Sequence, residues 1–192
     1  DKSPVPLAKK PVPFNRSLLE GVEKEILSVF KRERIISPDS VRGKFKTLRE
    51  SILKRGWPSL DSARGKVMFG LDNGGRIRDM YVAKNLSLQG RLLFASVGEN
   101  DPGAAFFKLN DPIRSHAQIK RLVKSGFMVR TRADSDTQEA RKNDTSRRDK
   151  ALSSGAQFVS TDYPEPNEKF SQYRVQFSNN IIYRKNPISG KE

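Results

Sequence analysis

The stretch that decides the fold runs from Gly126 to Pro164 and reads GFMVRTRADSDTQEARKNDTSRRDKALSSGAQFVSTDYP. Two short strand-like runs, Phe127–Ala133 and Gln157–Thr161, flank a polar segment that predicts one helix from about Thr137 to Ser154. A strand, a helix and a strand in that order predict parallel strands joined by a right-handed crossover. Polar groups close each strand: Arg130, Arg132 and Asp134 on the first, and Thr161, Asp162 and Tyr163 on the second. In parallel α/β folds the loops after the strands converge on one face, and chemistry gathers there.

The first of these strands carries the sharpest signal. A period of two puts Phe127, Val129, Thr131 and Ala133 on one side, and Met128, Arg130, Arg132 and Asp134 on the other. Two arginines on one side of a strand are costly to bury unpaired. Either they face a polar mouth and meet an aspartate or a substrate phosphate, or they join a structural ion-pair network with Asp134, Asp136 or Asp162. A guanidinium fork suits phosphate. Asp72, Asp134 and Asp162 each end a strand candidate, which points to a shared polar rim.

Outward from this unit the chain reads as more of the same. Residues 1–13 (DKSPVPLAKKPVP) form a proline- and lysine-rich linker or ordered loop. Residues 14–64 form a helical segment, and 65–192 the strands and helices of one domain. Asn15 is a helix cap. Leu18, Leu19, Val22, Ile26, Val29 and Phe30 recur at three- and four-residue steps, which predicts a helix with one buried stripe. Ser37-Pro38-Asp39 starts a second helix, and a third runs from about Thr47 to Lys54. Lys66–Asp72 reads as a strand covered on both faces, followed by a turn at Asn73-Gly74-Gly75. Arg91–Val97 and Ala104–Leu109 are further strand candidates, and Ile113 to Lys124 a helix closed by Gly126. Tyr173–Phe177 alternates like an edge strand. Four or five strands are too few for a closed eight-stranded barrel, which typically takes about 250 residues.

Charge and composition bound the function. The formal net charge of +15 favours an anionic partner: a phospholipid surface, a phosphorylated substrate or nucleic acid. Arg141–Lys150 is charge-dense, yet its acids are interleaved and it lacks aromatics for base stacking, so it reads as a solvated helix face. Cysteine is absent, which excludes disulfides and thiolate metal sites. No apolar run reaches about 18 residues. His116 is the single histidine and sits on the polar side of its helix, so acid–base chemistry by a histidine pair is not available within these residues. The chain begins at Asp1 and is expected to be part of something longer.

Val67–Asn73 (VMFGLDN), Gly90-Arg91, Val129–Asp134 (VRTRAD), Arg147–Leu152 (RRDKAL), Ser154–Pro164 (SGAQFVSTDYP) and Arg184–Pro187 (RKNP) resemble the calcium-dependent phosphoinositide-specific phospholipase C family of bacteria and fungi. Val41-Arg42-Gly43 and Gly56-Trp57-Pro58-Ser59-Leu60 add to the likeness, which runs through nearly all of the chain. The resemblance implies a partial TIM (β/α) barrel, the C-terminal half of a phospholipase-C-like phosphodiesterase. It implies hydrolysis of the phosphodiester of phosphatidylinositol by two histidines, with calcium as cofactor, all held in a preceding half of the barrel. No catalytic or metal-binding residue is therefore carried over. Arg130, Arg132, Asp134, Asp72 and Tyr163 are the expected substrate-binding residues, from their strand-end positions. The expected partner is anionic phospholipid at a membrane surface, with no nucleic acid. The expected state is a monomer, secreted or associated with a membrane surface. Lys185 departs from the family pattern, which leads one to expect cysteine there. The rival readings are a non-catalytic basic module binding nucleic acid or anionic membrane, and an inactive barrel relative.

Overall fold

The computed structural model describes residues 12–190. The chain divides into two compact units, Asp1–Ala105 and Phe106–Glu192. The expected linker lies mostly outside the described residues; Val12 and Pro13 are exposed and carry no regular structure. The fold is mixed α/β with small parallel sheets.

In the first unit, α1 (Arg16–Val29) starts where its cap dictates. The Asn15 side chain accepts a hydrogen bond from the Leu18 N–H at 2.9 Å. Its buried face differs from the expected stripe. Leu19 is buried and Ile26 and Phe30 are half-buried, while Leu18, Val22 and Val29 are exposed. The inward line is Leu19, Glu23, Ile26 and Phe30, at steps of four, three and four. An acid occupies the second place, so counting apolar residues alone rotates the face.

Helices α2 (Pro38–Arg42) and α3 (Leu48–Lys54) begin at Ser37 and Thr47, as their sequences dictate. Ser37 and Ser40 close a reciprocal capping box, and Thr47 accepts from the Glu50 N–H at 3.0 Å. A single turn, α4 (Leu60–Ala63), follows. Ile35 bridges Val67 in parallel, and β1 (Phe69–Leu71) pairs in parallel with β2 (Leu93–Ala95). Coverage of β1 on both faces does not hold, since Gly70 is exposed. Asn73-Gly74-Gly75 proves to be more than a turn. Gly74 caps α5 (Gly75–Val82), which carries the chain from β1 to β2.

The second unit holds the decisive stretch. Strands β3 (Phe106–Lys108), β4 (Met128–Arg132) and β5 (Phe158–Ser160) form one parallel sheet in that order. Between β3 and β4, α6 (His116–Lys124) begins three residues later than expected, because the Asp111 carboxylate first accepts the Ile113 and Arg114 N–H groups in a turn. It ends at Gly126, whose φ of +89° a side chain would resist. There the Gly126 and Phe127 N–H groups donate back to Val123 and Leu122, both at 3.0 Å.

The single helix expected between β4 and β5 is two: α7 (Gln138–Lys142) and α8 (Ser146–Ser153). Asn143 adopts the left-handed conformation and ends α7, and the Asp144 carboxylate then accepts the Ser146 N–H at 2.9 Å. Both are local side-chain preferences that compete with helix. Helices α6 and α8 pack against β4. Val129 and Thr131 are fully buried on that side.

The Tyr173–Phe177 segment forms no strand. Its alternation is real, since Tyr173 and Val175 turn toward Ala140 and Tyr163. Its backbone bonds go elsewhere. The Tyr173 N–H donates to Ser171, the Val175 N–H to the Tyr163 carbonyl, and the Arg174 carbonyl accepts from Arg148, each at 3.0 Å.

Candidate functional site

Register builds the site. Lys108 on β3 lies opposite Arg130 on β4, and Arg130 opposite Phe158 on β5; two residues on, Arg132 lies opposite Ser160. Residues in register on parallel strands share a face. One sheet face therefore carries Lys108, Arg130 and Arg132 in adjoining places, with Met128, Phe158 and Ser160 among them. All three cations are half-buried, while the helices cover the other face. Lys108 was not foreseen, because AAFFKL reads locally as an apolar run and only the register sets its amine beside a guanidinium.

Asn110 anchors this edge of the face. Arg130 donates to the Asn110 side-chain oxygen at 2.5 Å, and Arg147 donates to the Asn110 carbonyl at 2.6 Å. Asn110, just past β3, thus tethers one arginine from the sheet and another from α8. Arg147 also lies 3.8 Å from Glu139, whose other oxygen accepts the Ser135 N–H at 2.9 Å. Arg132 stands 3.7 Å from Asp162, with side chains 29% and 66% exposed.

Behind this face a buried acid fixes the loop after β5. Asp134 accepts the Thr161 hydroxyl, and its other oxygen accepts the Asp162 N–H at 3.0 Å. The Thr161 hydroxyl oxygen in turn accepts the Tyr163 N–H at 2.9 Å. Tyr163 is buried and packs edge-on against Tyr173 and Phe170. The Tyr173 hydroxyl donates to the Ala133 carbonyl at 3.0 Å. Burial, followed by the Asp134 and Glu139 charges, pushes that phenol well above its ordinary value.

Four of the five expected residues, Arg130, Arg132, Asp134 and Tyr163, thus gather at the C-terminal end of one sheet. Asp134 and Tyr163 are engaged with their own chain. Asp72 ends β1 in the first unit, where it is exposed and lines a cavity of about 230 Å³ with Leu19, Leu71, Tyr81 and Leu93.

Residues 1–187 match the family model described as "Phosphoinositide phospholipase C, Ca2+-dependent". The chain belongs to that family. No curated protein and no solved structure matches it.

Family membership raises calcium, which prefers six to eight oxygen ligands, several of them carboxylates. Among the described residues no three of His, Cys, Asp and Glu converge in a way that could hold a metal ion. Asp134 is spent on Thr161 and the Asp162 N–H, and Asp162 faces Arg132. These residues do not make a calcium cage. His116 is no proton shuttle for the cationic face either: its ring meets Ser153 on α8 at 3.2 Å.

The first unit holds a second charged cluster, which sequence patterning missed. Glu23 on α1 pairs with Arg91 at 3.1 Å, with side chains 14% and 8% exposed. The same carboxylate accepts the Tyr81 hydroxyl at 2.6 Å and the Leu92 N–H at 2.8 Å. Arg91 also lies over the Tyr81 ring at 4.6 Å. Burial, then the Glu23 hydrogen bond, raises the Tyr81 phenol far above its ordinary value. This cluster joins α1 and α5 to the start of β2.

Proposed function

We propose that the chain is the headgroup-gripping part of a phosphodiesterase that cleaves phosphatidylinositol. The observation that carries this reading is the row of Lys108, Arg130 and Arg132 on one face of the β3–β4–β5 sheet, in a chain of this family. The arginine forks donate paired hydrogen bonds to phosphate oxygens, and the lysine adds a mobile point charge. Fixed cations of this kind stabilise the negative charge on the phosphate oxygens as the ester breaks, without reorganising at that moment. Asp134 and Tyr163 hold the loop that carries Asp162, and so set how far Arg132 reaches. Proton transfer and calcium binding fall to residues outside this chain, whose fold is a partial (β/α) barrel. The protein works on lipid at a membrane surface, as a monomer.

Hydrolysis of phosphatidylinositol by the intact protein tests this. Replacing Arg132 by alanine removes roughly 1.5–3 kcal/mol of charge-assisted hydrogen bonding, so turnover falls at least tenfold at an unchanged melting temperature. Unchanged turnover would count against the assignment.

A further inference from the structure

The chain between Tyr173 and Gly190 contains Arg174, Arg184 and Lys185 and no acid. Near its centre Ile181, Ile182 and Tyr183 form a continuous apolar tip. Ile182 is 91% and Tyr183 81% exposed. The tip is held at both ends. Before it, the Val175 N–H donates to the Tyr163 carbonyl, just past β5. After it, Arg184 stacks over Phe177 at 4.7 Å and donates to the Leu152 carbonyl. The Asn186 amide donates to the Gly155 carbonyl at 2.8 Å, and its oxygen accepts the Ile188 and Ser189 N–H groups. Gly155 itself must be glycine, since a Cβ there would come within 2.5 Å of Ile188. The segment is therefore stapled beside β5, with Ile182 and Tyr183 turned to water.

We infer that Ile181–Lys185 is a docking loop for an anionic lipid bilayer. Isoleucine and tyrosine beside basic residues suit the interface: the apolar groups enter the acyl boundary and the tyrosine ring sits at headgroup level. Arg184 and Lys185 then meet lipid phosphates. The absence of acid from the segment fits a negative surface and no basic partner. The inference rests on the membrane-surface reading above and names the segment that docks; it does not need the headgroup site, since the loop asks only for surface charge and not for inositol.

Co-sedimentation of the 192-residue chain with phosphatidylcholine vesicles, with and without about 30% phosphatidylglycerol, at about 0.15 M salt, tests it. The native chain binds the anionic vesicles at least about tenfold better than the neutral ones. Ile182→Ser with Tyr183→Ser lowers that binding roughly tenfold. These side chains are solvent-exposed, so the variant keeps the native melting temperature. Excess inositol 1-phosphate, which occupies the headgroup site, leaves binding to phosphatidylglycerol vesicles unchanged, which separates this loop from that site; displacement of the chain by it would overturn the proposal. Equal binding by native and loop-variant chains would overturn the proposal. So would native chain that ignores anionic vesicles. A dimer that the two serines dissolve, seen by light scattering, would assign the tip to a second copy instead and equally overturn it.

Discussion

Each unit holds an arginine–carboxylate pair, and the two pairs are built to opposite ends. Glu23–Arg91 is short, nearly buried, and reinforced by Tyr81 and the Leu92 N–H. Arg132–Asp162 is long, and its acid is largely in water. Desolvated charges are favoured where their donors and acceptors are satisfied; Glu23 meets that condition, and Arg91, though its Nε has no hydrogen-bond partner among the described residues, gains the face of the Tyr81 ring. Arg132 is under no such obligation, and a phosphate can displace an exposed carboxylate at little cost. The contrast separates an ion pair that makes a fold from one that leaves a cation available.

The sharpest way to break this comparison is to remove one member of the closed pair. Arg91→Ala leaves Glu23 buried and uncompensated, so unfolding in urea should show a loss of about 3–5 kcal/mol, little altered by salt. A loss below about 1 kcal/mol would place Glu23–Arg91 in the same class as Arg132–Asp162. Asp134→Ala comes next. It orphans the Thr161 hydroxyl and the Asp162 N–H, and a loss of about 2 kcal/mol is expected by the same measurement. Headgroup binding should weaken with it, because the loop after β5 no longer holds Asp162 in place. Arg132→Ala should change stability by less than about 1 kcal/mol. The smallest effect belongs to His116. Burial, then Lys150 and Lys120, hold its pKa below the ordinary value. The unfolded chain therefore takes up the proton first. Stability is complete above about pH 6.5 and declines as pH falls below it. His116→Gln should flatten that slope in a pH series of melts.

Much of the fold was legible because local chemistry dictates it. Asn15 and Ser37 cap where caps were read, Thr47 caps the helix whose start was read there, and the alternation of β4 places Val129 and Thr131 inside with Arg130 and Arg132 on the other side. The Phe127 and Gln157 runs pair in parallel, as a strand–helix–strand order requires. The break at Asn143-Asp144-Thr145 was legible too, but the charge-dense run around it masked a left-handed cap followed by a side-chain turn. Other features lie beyond any local pattern. Lys108 joins the arginines only through cross-strand register, and Asn110 and Arg147 only through the rim. Glu23 sits in the inward stripe of α1, where hydrophobicity argues against it and only its partner Arg91 explains it.

The central claim is that the row on β3 and β4 holds a phosphate. Calorimetric titration of the chain with inositol 1-phosphate, against Lys108→Ala and Arg132→Ala, tests it most directly. Salt-sensitive binding that weakens about tenfold or more in each variant, with melting temperature kept, is the predicted result. Equal affinity in the native chain and both variants would contradict it.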